Sequence, residues 1–254
     1  MRRVLLRFGV FFVLVGGSVF FLLLSVRFQF KDVSLSGNAA IPSEEILRTV
    51  DAYLTERVLW FFPRNNVFLF RPRAFEARIR KEFPRIAEAN VSRSYSRELT
   101  LYVAERSPWG LYCKTKAADC FYIAKDGVLT LEAPYFTGNA VFRITDYRTA
   151  SVFFLLGDAA VNESDAAYIG QVVDFLVHQH HVVVREVALG RVFEDQMELI
   201  TDEGWYVLFD ERTNKERALE NLALVLDQHI TDRSMLEYID IRFDGKVFYK
   251  NKNK

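Results

Sequence analysis

The sequence predicts an α+β protein with one N-terminal transmembrane helix, a first module of order β-α-α-β-β, and a mixed β-rich module with two helices. Three observations support this fold class. An uncharged apolar stretch occupies residues 8–26. Residues 30–106 alternate between runs of period two and amphipathic runs of period 3.6. Residues 107–250 contain many short alternating runs and two helical patterns, and residues 251–254 form a polar tail.

The apolar stretch predicts the topology of the chain. As a helix it would extend roughly 28 Å, close to the ~30 Å hydrocarbon core of a bilayer. An arginine-rich tail at residues 1–7 should stay in the cytoplasm, which places both modules outside. A cleaved signal peptide is the rival interpretation, but the exit from the stretch has no small-residue cleavage pattern. We therefore expect an uncleaved single-pass anchor. Its flanking basic residues are Arg2, Arg3, Arg7, Arg27 and Lys31.

Composition excludes one class of partner and permits one crosslink. The 33 basic residues equal the 33 acidic residues in number, so charge gives no case for nucleic-acid binding. Only two cysteines occur, Cys113 and Cys120, and they flank the loop of a predicted hairpin. Hairpin pairing could bring them close enough to bridge, and an oxidising compartment would allow a disulfide.

The first module shows clear starts and stops. Residues 28–36 read as a strand that ends at a Gly-Asn turn. A helix begins at Ser43, which can act as its cap, and ends near Glu56. A second helix covers residues 71–83 and is stopped by Pro84. Two strands follow at residues 86–94 and 98–105.

The segment between the two helices, residues 58–70, is unusually aromatic. Burial as a connection between the helices is the favoured interpretation. The alternative is contact with a membrane interface, where Trp and Phe are common.

These elements carry a family resemblance. The pattern resembles the POTRA domain of the bacterial division protein FtsQ, called DivIB in other lineages, and the resemblance extends over nearly the whole chain. That family combines a short basic tail, a membrane helix, a POTRA domain and a β-rich domain. In the first module the resemblance rests on Val33, Leu35, Gly37, Asn38, Ile41, Phe83, Pro84, Ile86, Val91, Arg93, Leu99, Val103, Glu105, Arg106 and Pro108. In the second module it rests on Gly204 and Trp205, the leucine-rich helix after them, and the strand at residues 239–243.

The second module is predicted to be rich in strands. A helix capped at Asn162 should run to about Gln179, and a capping box from Thr213 to Glu216 opens another. The type of the apolar stretches at residues 140–144 and 151–156 stays open. Strands are predicted at residues 109–114, 119–124, 128–131, 182–189, 194–201 and 205–210, followed by a final hairpin that turns at Asp244 and Gly245.

Catalytic and metal sites are not predicted. His178, His180 and His181 cluster where a helix gives way to a strand, without the cysteine or carboxylate spacing of a zinc site. Acidic pairs at residues 194–195 and 202–203 are better read as solvated turns, since neighbours on a strand point to opposite faces. No nucleophile motif or phosphate loop is present in the sequence. We therefore expect no enzyme activity, metal or cofactor, and interpret the chain as an interaction protein.

The final hairpin is the candidate partner-binding site. Regular pairing would set Ile241 and Phe248 against the core, with the pairs Arg242–Val247 and Asp240–Tyr249 on the outer face. Phe243 could belong to either side, and Arg242 could pair with Asp240 or with a partner. The last strand could accept another strand, or be an ordinary edge blunted by Lys246 and Lys250. The resemblance favours binding, because in FtsQ-like proteins the C-terminal strands receive the coiled-coil protein FtsB, or DivIC, alongside FtsL. The predicted partner-binding residues are Arg242, Phe243, Val247, Phe248 and Tyr249.

The resemblance implies a non-enzymatic scaffold of the divisome, the cell-division machinery. Such a scaffold would sit in the plasma membrane at the septum and link FtsB/DivIC- and FtsL-like proteins to the septal peptidoglycan synthesis complex. A POTRA role in outer-membrane protein insertion or secretion is an alternative, although too few residues remain for an accompanying barrel. A membrane-anchored envelope hydrolase is a third interpretation, which would need a catalytic set.

Overall fold

The computed structural model describes residues 2–114, 120–134, 142–148, 154–210, 214–243 and 245–252, with side chains from residue 10 onward within these ranges. The chain divides into a first unit, Met1–Glu105, and a second unit, Arg106–Lys254. Each unit has its own buried apolar cluster. Both units combine helices with strands, as the α+β class predicts.

The N-terminal apolar stretch forms helix α1, Arg2–Leu24. Among the residues that the structure describes, however, no helix is long and apolar enough to cross a membrane. The predicted transmembrane helix at residues 8–26 is therefore wrong, and the fold class is corrected to α+β without it.

The first unit follows the order β-α-α-β-β, with a short hairpin inserted between the two helices. Its main sheet has the strand order β1-β5-β4, in which β1 runs parallel to β5 and β4 runs antiparallel to it. The elements are β1 (Asp32–Ser36), α2 (Ser43–Thr55), β2 (Arg57–Val58), β3 (Phe62–Pro63), α3 (Pro72–Glu82), β4 (Ile86–Arg93) and β5 (Glu98–Glu105).

Local sequence explains the ends of these elements. Glutamates at positions 44 and 45 lie in the first turn of α2, where the helix dipole favours negative charge. Ser43 does not cap this helix through its side chain; its hydroxyl accepts a hydrogen bond from Asn38 instead. Gly37 ends β1 at φ +88°, and a Cβ there would lie 2.0 Å from the carbonyl oxygen of Val103. Only glycine fits this turn.

The aromatic segment at residues 58–70 is only partly buried. Val67 and Phe70 belong to the core of the first unit, as the favoured interpretation predicts. Leu59, Trp60 and Phe61 instead form the exposed turn between β2 and β3. Burial is therefore the wrong prediction for this turn, which projects from two strands that are each only two residues long.

The second unit is built on a sheet of nine strands within the described residues, in the order β14-β13-β12-β11-β10-β9-β6-β7-β8. Helices α4 and α5 contribute buried apolar residues to the same core as the strands. The elements are β6 (Pro108–Lys114), β7 (Cys120–Ala124), β8 (Leu129–Ala133), β9 (Arg143–Asp146), α4 (Glu163–His180), β10 (Val184–Leu189), β11 (Gln196–Thr201), β12 (Tyr206–Asp210), α5 (Lys215–Gln228), β13 (Leu236–Phe243) and β14 (Lys246–Asn251).

Both helices of the second unit begin at an asparagine cap. The Asn162 side chain accepts a hydrogen bond from the backbone N–H of Asp165, as predicted. Asn214 caps α5 in the same way, through the N–H of Arg217. Thr213, predicted as the cap, lies outside the described residues, as do Asp244 and parts of the stretches at residues 140–144 and 151–156.

Candidate partner-binding site

The C-terminal hairpin, β13 and β14, forms one edge of the nine-stranded sheet. Strand β13 pairs in parallel with β12 on one side and antiparallel with β14 on the other. Strand β14 is the last strand in the order, so its outer side has no strand beside it among the described residues. Such an edge carries backbone N–H and C=O groups that another chain can pair with.

A bulge in β13 changes the predicted faces of this hairpin. Phe243 pairs with Lys246 as predicted, but the next pair along is Asp240 with Phe248. Ile241 and Arg242 therefore oppose the single residue Val247. One extra residue on one strand shifts the register by one, which moves every later side chain of the partner strand to the other face.

The faces of Val247 and Phe248 are accordingly reversed from the prediction. Val247 is half-buried and packs against the core of the second unit. Phe248, predicted to cover the core, is 51% exposed, and Phe243 is 50% exposed. Their rings meet edge to face with centroids 5.3 Å apart. We call Phe243 and Phe248 the aromatic pair. Tyr249, predicted to oppose Asp240 on the outer face, instead opposes Ile239 and lies on the same face of β14 as Val247, although it is exposed.

A polar network lies at the bulge. The Asp240 carboxylate is buried and accepts hydrogen bonds from Arg242: Nε lies 2.9 Å from Oδ1 and Nη2 lies 2.6 Å from Oδ2. The backbone N–H of Arg242 also donates to Oδ1 at 3.1 Å. Arg242 Nη1 reaches Gln196 Oε1 on β11 at 3.2 Å, and Gln196 Nε2 donates to Glu198. The hydrogen bond to Asp240 raises the pKa of Arg242 above its ordinary value.

This network answers a question that the sequence left open. Arg242 pairs with Asp240 of its own chain. Its guanidinium also lies 5.8 Å from the centroid of the Phe243 ring, within the range of a cation–π contact. Arg242 therefore positions one member of the aromatic pair, and its role toward a partner stays a prediction.

The lysines of the hairpin do not all project freely. Lys250 Nζ lies 2.7 Å from Glu237 Oε2 on β13, and this hydrogen bond raises the pKa of Lys250. The backbone N–H of Lys252 donates to the carbonyl of Met235 at 2.7 Å, which ties the end of the chain to the start of β13. Lys246 is exposed at the turn. Of the two lysines that could discourage strand pairing at the β14 edge, Lys250 is therefore paired within the hairpin and Lys246 is not buried.

The cysteines are joined elsewhere in the same sheet. Cys113 on β6 pairs directly with Cys120 on β7, and a disulfide connects them with their Cα atoms 4.4 Å apart. The loop between them lies outside the described residues. This crosslink closes the β6–β7 hairpin, at the opposite end of the strand order from β14.

The histidine cluster lies at the end of α4. His178 and His180 occupy the last turn and His181 is the C-cap in a left-handed conformation, so the cluster sits where a helix C-terminus favours positive or dipolar groups. Burial lowers the pKa of His180, whose ring packs against Phe175. Across the described part of the chain, no group of three His, Cys, Asp or Glu residues could hold a metal ion.

Sequence reasoning missed two members of the hairpin site. Gln196 and Glu198 lie on β11 and support Arg242 only because the sheet brings β11 and β13 to either side of β12. Nothing local to the hairpin sequence indicates that contact. The alternation of residues 239–243 does predict a strand, but gives no sign of the bulge.

Comparison with known families identifies one domain. Residues 28–106 match the family model described as POTRA domain, FtsQ-type. The matched range covers β1 to β5 of the first unit, and over these residues the match confirms the predicted resemblance to the FtsQ-type POTRA domain. A search of curated proteins found no match to the chain.

Proposed function

We propose that this chain, which carries a POTRA domain of the FtsQ type, is a non-enzymatic scaffold of the bacterial divisome. In this role it binds FtsB/DivIC- and FtsL-like coiled-coil proteins at the division site and links them to septal peptidoglycan synthesis. The observation that carries the proposal is the match of residues 28–106 to the FtsQ-type POTRA domain.

The C-terminal hairpin supplies a surface suited to such a partner. An added strand would hydrogen-bond to the outer side of β14, while side-chain pockets and anchors would set the specificity. The aromatic pair offers two adjacent rings at this edge. Aromatic residues are enriched among the side chains that dominate interface energies. In this account Phe243, Phe248 and Tyr249 contact the partner, while Arg242 and Val247 hold the hairpin in position.

Affinity capture of the full-length tagged chain, followed by mass spectrometry, tests this function. We expect small coiled-coil division proteins to be enriched with the wild-type chain and depleted with a Phe243→Ala/Phe248→Ala variant. Phe193→Ala is the matched control, since Phe193 is an exposed phenylalanine of the same unit that lies outside the hairpin. Recovery of barrel-assembly or export proteins instead would contradict the divisome role and favour the alternative.

A further inference from the structure

The β2–β3 turn of the first unit displays three large apolar side chains to solvent. Leu59 is 72% exposed, Trp60 is 88% exposed and Phe61 is 68% exposed. We call these three residues the apolar tip. Consecutive exposed side chains of this size are unusual on a soluble surface and mark a contact with another molecule or with lipid.

The backbone of the apolar tip is held in a costly conformation. Leu59 has φ +51° and Trp60 has φ +70°, in the left-handed region that glycine or asparagine normally occupies. Packing inside the protein does not offset this cost, because the side chains are exposed. Strain at an exposed apolar turn indicates that the side chains serve something outside the chain.

The base of the hairpin is fixed beside the end of α1. The rings of Phe62 and Phe20 meet with centroids 5.6 Å apart. The Asn66 amide donates hydrogen bonds to the carbonyls of Leu22 and Leu23 at 3.2 and 3.0 Å, which satisfies two groups at the C-terminus of the helix. The apolar tip therefore projects from the same region as the exposed apolar side chains of α1.

Three basic residues close to the hairpin in sequence are exposed. Arg27, Lys31 and Arg57 are exposed in the segments that adjoin the hairpin. The acidic residue of the hairpin base, Glu56, is engaged by two arginines: Arg64 Nε lies 3.2 Å from its carboxylate, and Arg78 also contacts it. An apolar protrusion with exposed basic residues in the adjoining segments complements a membrane surface that carries negative lipids.

We propose that the apolar tip inserts into the interfacial region of an anionic lipid bilayer. Trp60 would lie at the level of the headgroups, where tryptophan is favoured, with Leu59 and Phe61 reaching the start of the acyl chains. Arg27 and Arg57 would face the lipid phosphates. This contact fixes the orientation of the POTRA domain at the membrane surface, independently of which protein the C-terminal hairpin binds.

Trp60 fluorescence tests the insertion directly. The full-length chain is mixed with vesicles rich in phosphatidylglycerol whose acyl chains carry bromine, a quencher of tryptophan. We expect Trp60 emission to shift to shorter wavelength and to be quenched, and expect Trp60→Phe to lose that quenched component. Neutral phosphatidylcholine vesicles with the same bromine label should quench less. The matched control is Tyr95→Trp in the Trp60→Phe background, since Tyr95 is exposed at the β4–β5 turn of the same unit.

Three outcomes would overturn the proposal. Wild type and Trp60→Phe could be quenched equally, which would place Trp60 away from lipid. The Tyr95→Trp control could be quenched as strongly as wild type, which would mean that the signal reports general adsorption. Concentration-dependent self-association that Trp60→Ser abolishes, without quenching in the wild type, would make the apolar tip an interface between two copies of the chain.

Discussion

Replacing Glu105 by glutamine should destabilise the first unit by about 1–3 kcal/mol. The Glu105 carboxylate closes the loop between β1 and α2 by accepting hydrogen bonds from three consecutive backbone N–H groups. Its Oε1 lies 2.7 Å from the nitrogen of Ala39, 3.1 Å from that of Ala40 and 2.9 Å from that of Ile41. Oε2 lies 3.4 Å from Nη2 of Arg85.

The size of this stability loss depends on which of the lost hydrogen bonds can be replaced by bonds to water. A hydrogen bond to a charged group contributes about 1.5–3 kcal/mol and a neutral one about 0.5–1.5 kcal/mol. Glutamine keeps one acceptor oxygen but removes the charge, and its NH2 group would meet two donors, Ala40 N–H and Arg85. Water can reach Ala39 and Ala40, which are exposed, whereas Ile41 is buried. The loss is therefore close to that of one charged hydrogen bond.

The same geometry predicts a pH dependence. Burial raises the pKa of Glu105, but the backbone hydrogen bonds from Ile41, Ala39 and Ala40 and the charge of Arg85 outweigh it, so the pKa is lowered overall. A lowered folded-state pKa gives stability that is present above the unfolded-state pKa of about 4.3 and is lost as pH falls through the folded value. The difference between wild type and Glu105→Gln should be full at neutral pH and shrink in acid.

The stability loss of Glu105→Gln can be measured by urea unfolding with hydrogen-exchange mass spectrometry as the readout. Peptides from the first unit report the unfolding of that unit alone. Glu98→Gln is the matched control, since Glu98 is exposed at the start of the same strand, and it should change the free energy of unfolding by less than about 0.5 kcal/mol. The reasoning is refuted if Glu105→Gln unfolds at the same urea concentration as Glu98→Gln at neutral pH.

Two further predictions concern the turn after β1 and the disulfide. Gly37→Ala should destabilise the first unit by about 1–3 kcal/mol, and by more than Gly204→Ala destabilises the second. Both glycines have φ near +85°, but only Gly37 faces a backbone oxygen at 2.0 Å; equal urea shifts would contradict this. Natively purified protein should show no free thiols at Cys113 and Cys120 under denaturing alkylation, and reduction should cost about 2–3 kcal/mol for so short a loop. Alkylated cysteines without prior reduction would count against the crosslink in the cell.

Periodicity predicted the order of elements in the first unit because each apolar face there is buried by a neighbouring element of the same unit. Leu99, Leu101 and Val103 alternate along β5 and are fully buried. The inserted hairpin escaped prediction because strands of two residues are too short to show any period. Aromatic composition alone could not separate buried Phe70 from exposed Phe61, since both are large and apolar.

The N-terminal stretch shows the limit of composition as a guide to the fold class. An apolar run predicts a helix, and α1 is a helix. The further step to a transmembrane helix is not supported within the described residues.

The candidate site was predicted in place but not in detail. The Asp-Gly turn signal located the C-terminal hairpin, and the pairing of Phe243 with Lys246 follows from it. The bulge lies where Asp240 and Arg242 of β13 meet Gln196 of β11 across the intervening strand β12, which is a tertiary contact. A regular ladder therefore assigned Val247 and Phe248 to the wrong faces.

Binding of a purified FtsB/DivIC-like partner to the full-length chain tests the account most directly. Isothermal titration would compare wild type, Phe248→Ala and the matched control Phe193→Ala, with circular dichroism establishing that all three are folded. Truncating a central aromatic anchor can cost about 2 kcal/mol of binding free energy. Phe248→Ala should therefore raise the dissociation constant by roughly 30-fold. Phe193→Ala should bind as wild type does. Wild-type affinity in Phe248→Ala would contradict the account and place the partner on another surface.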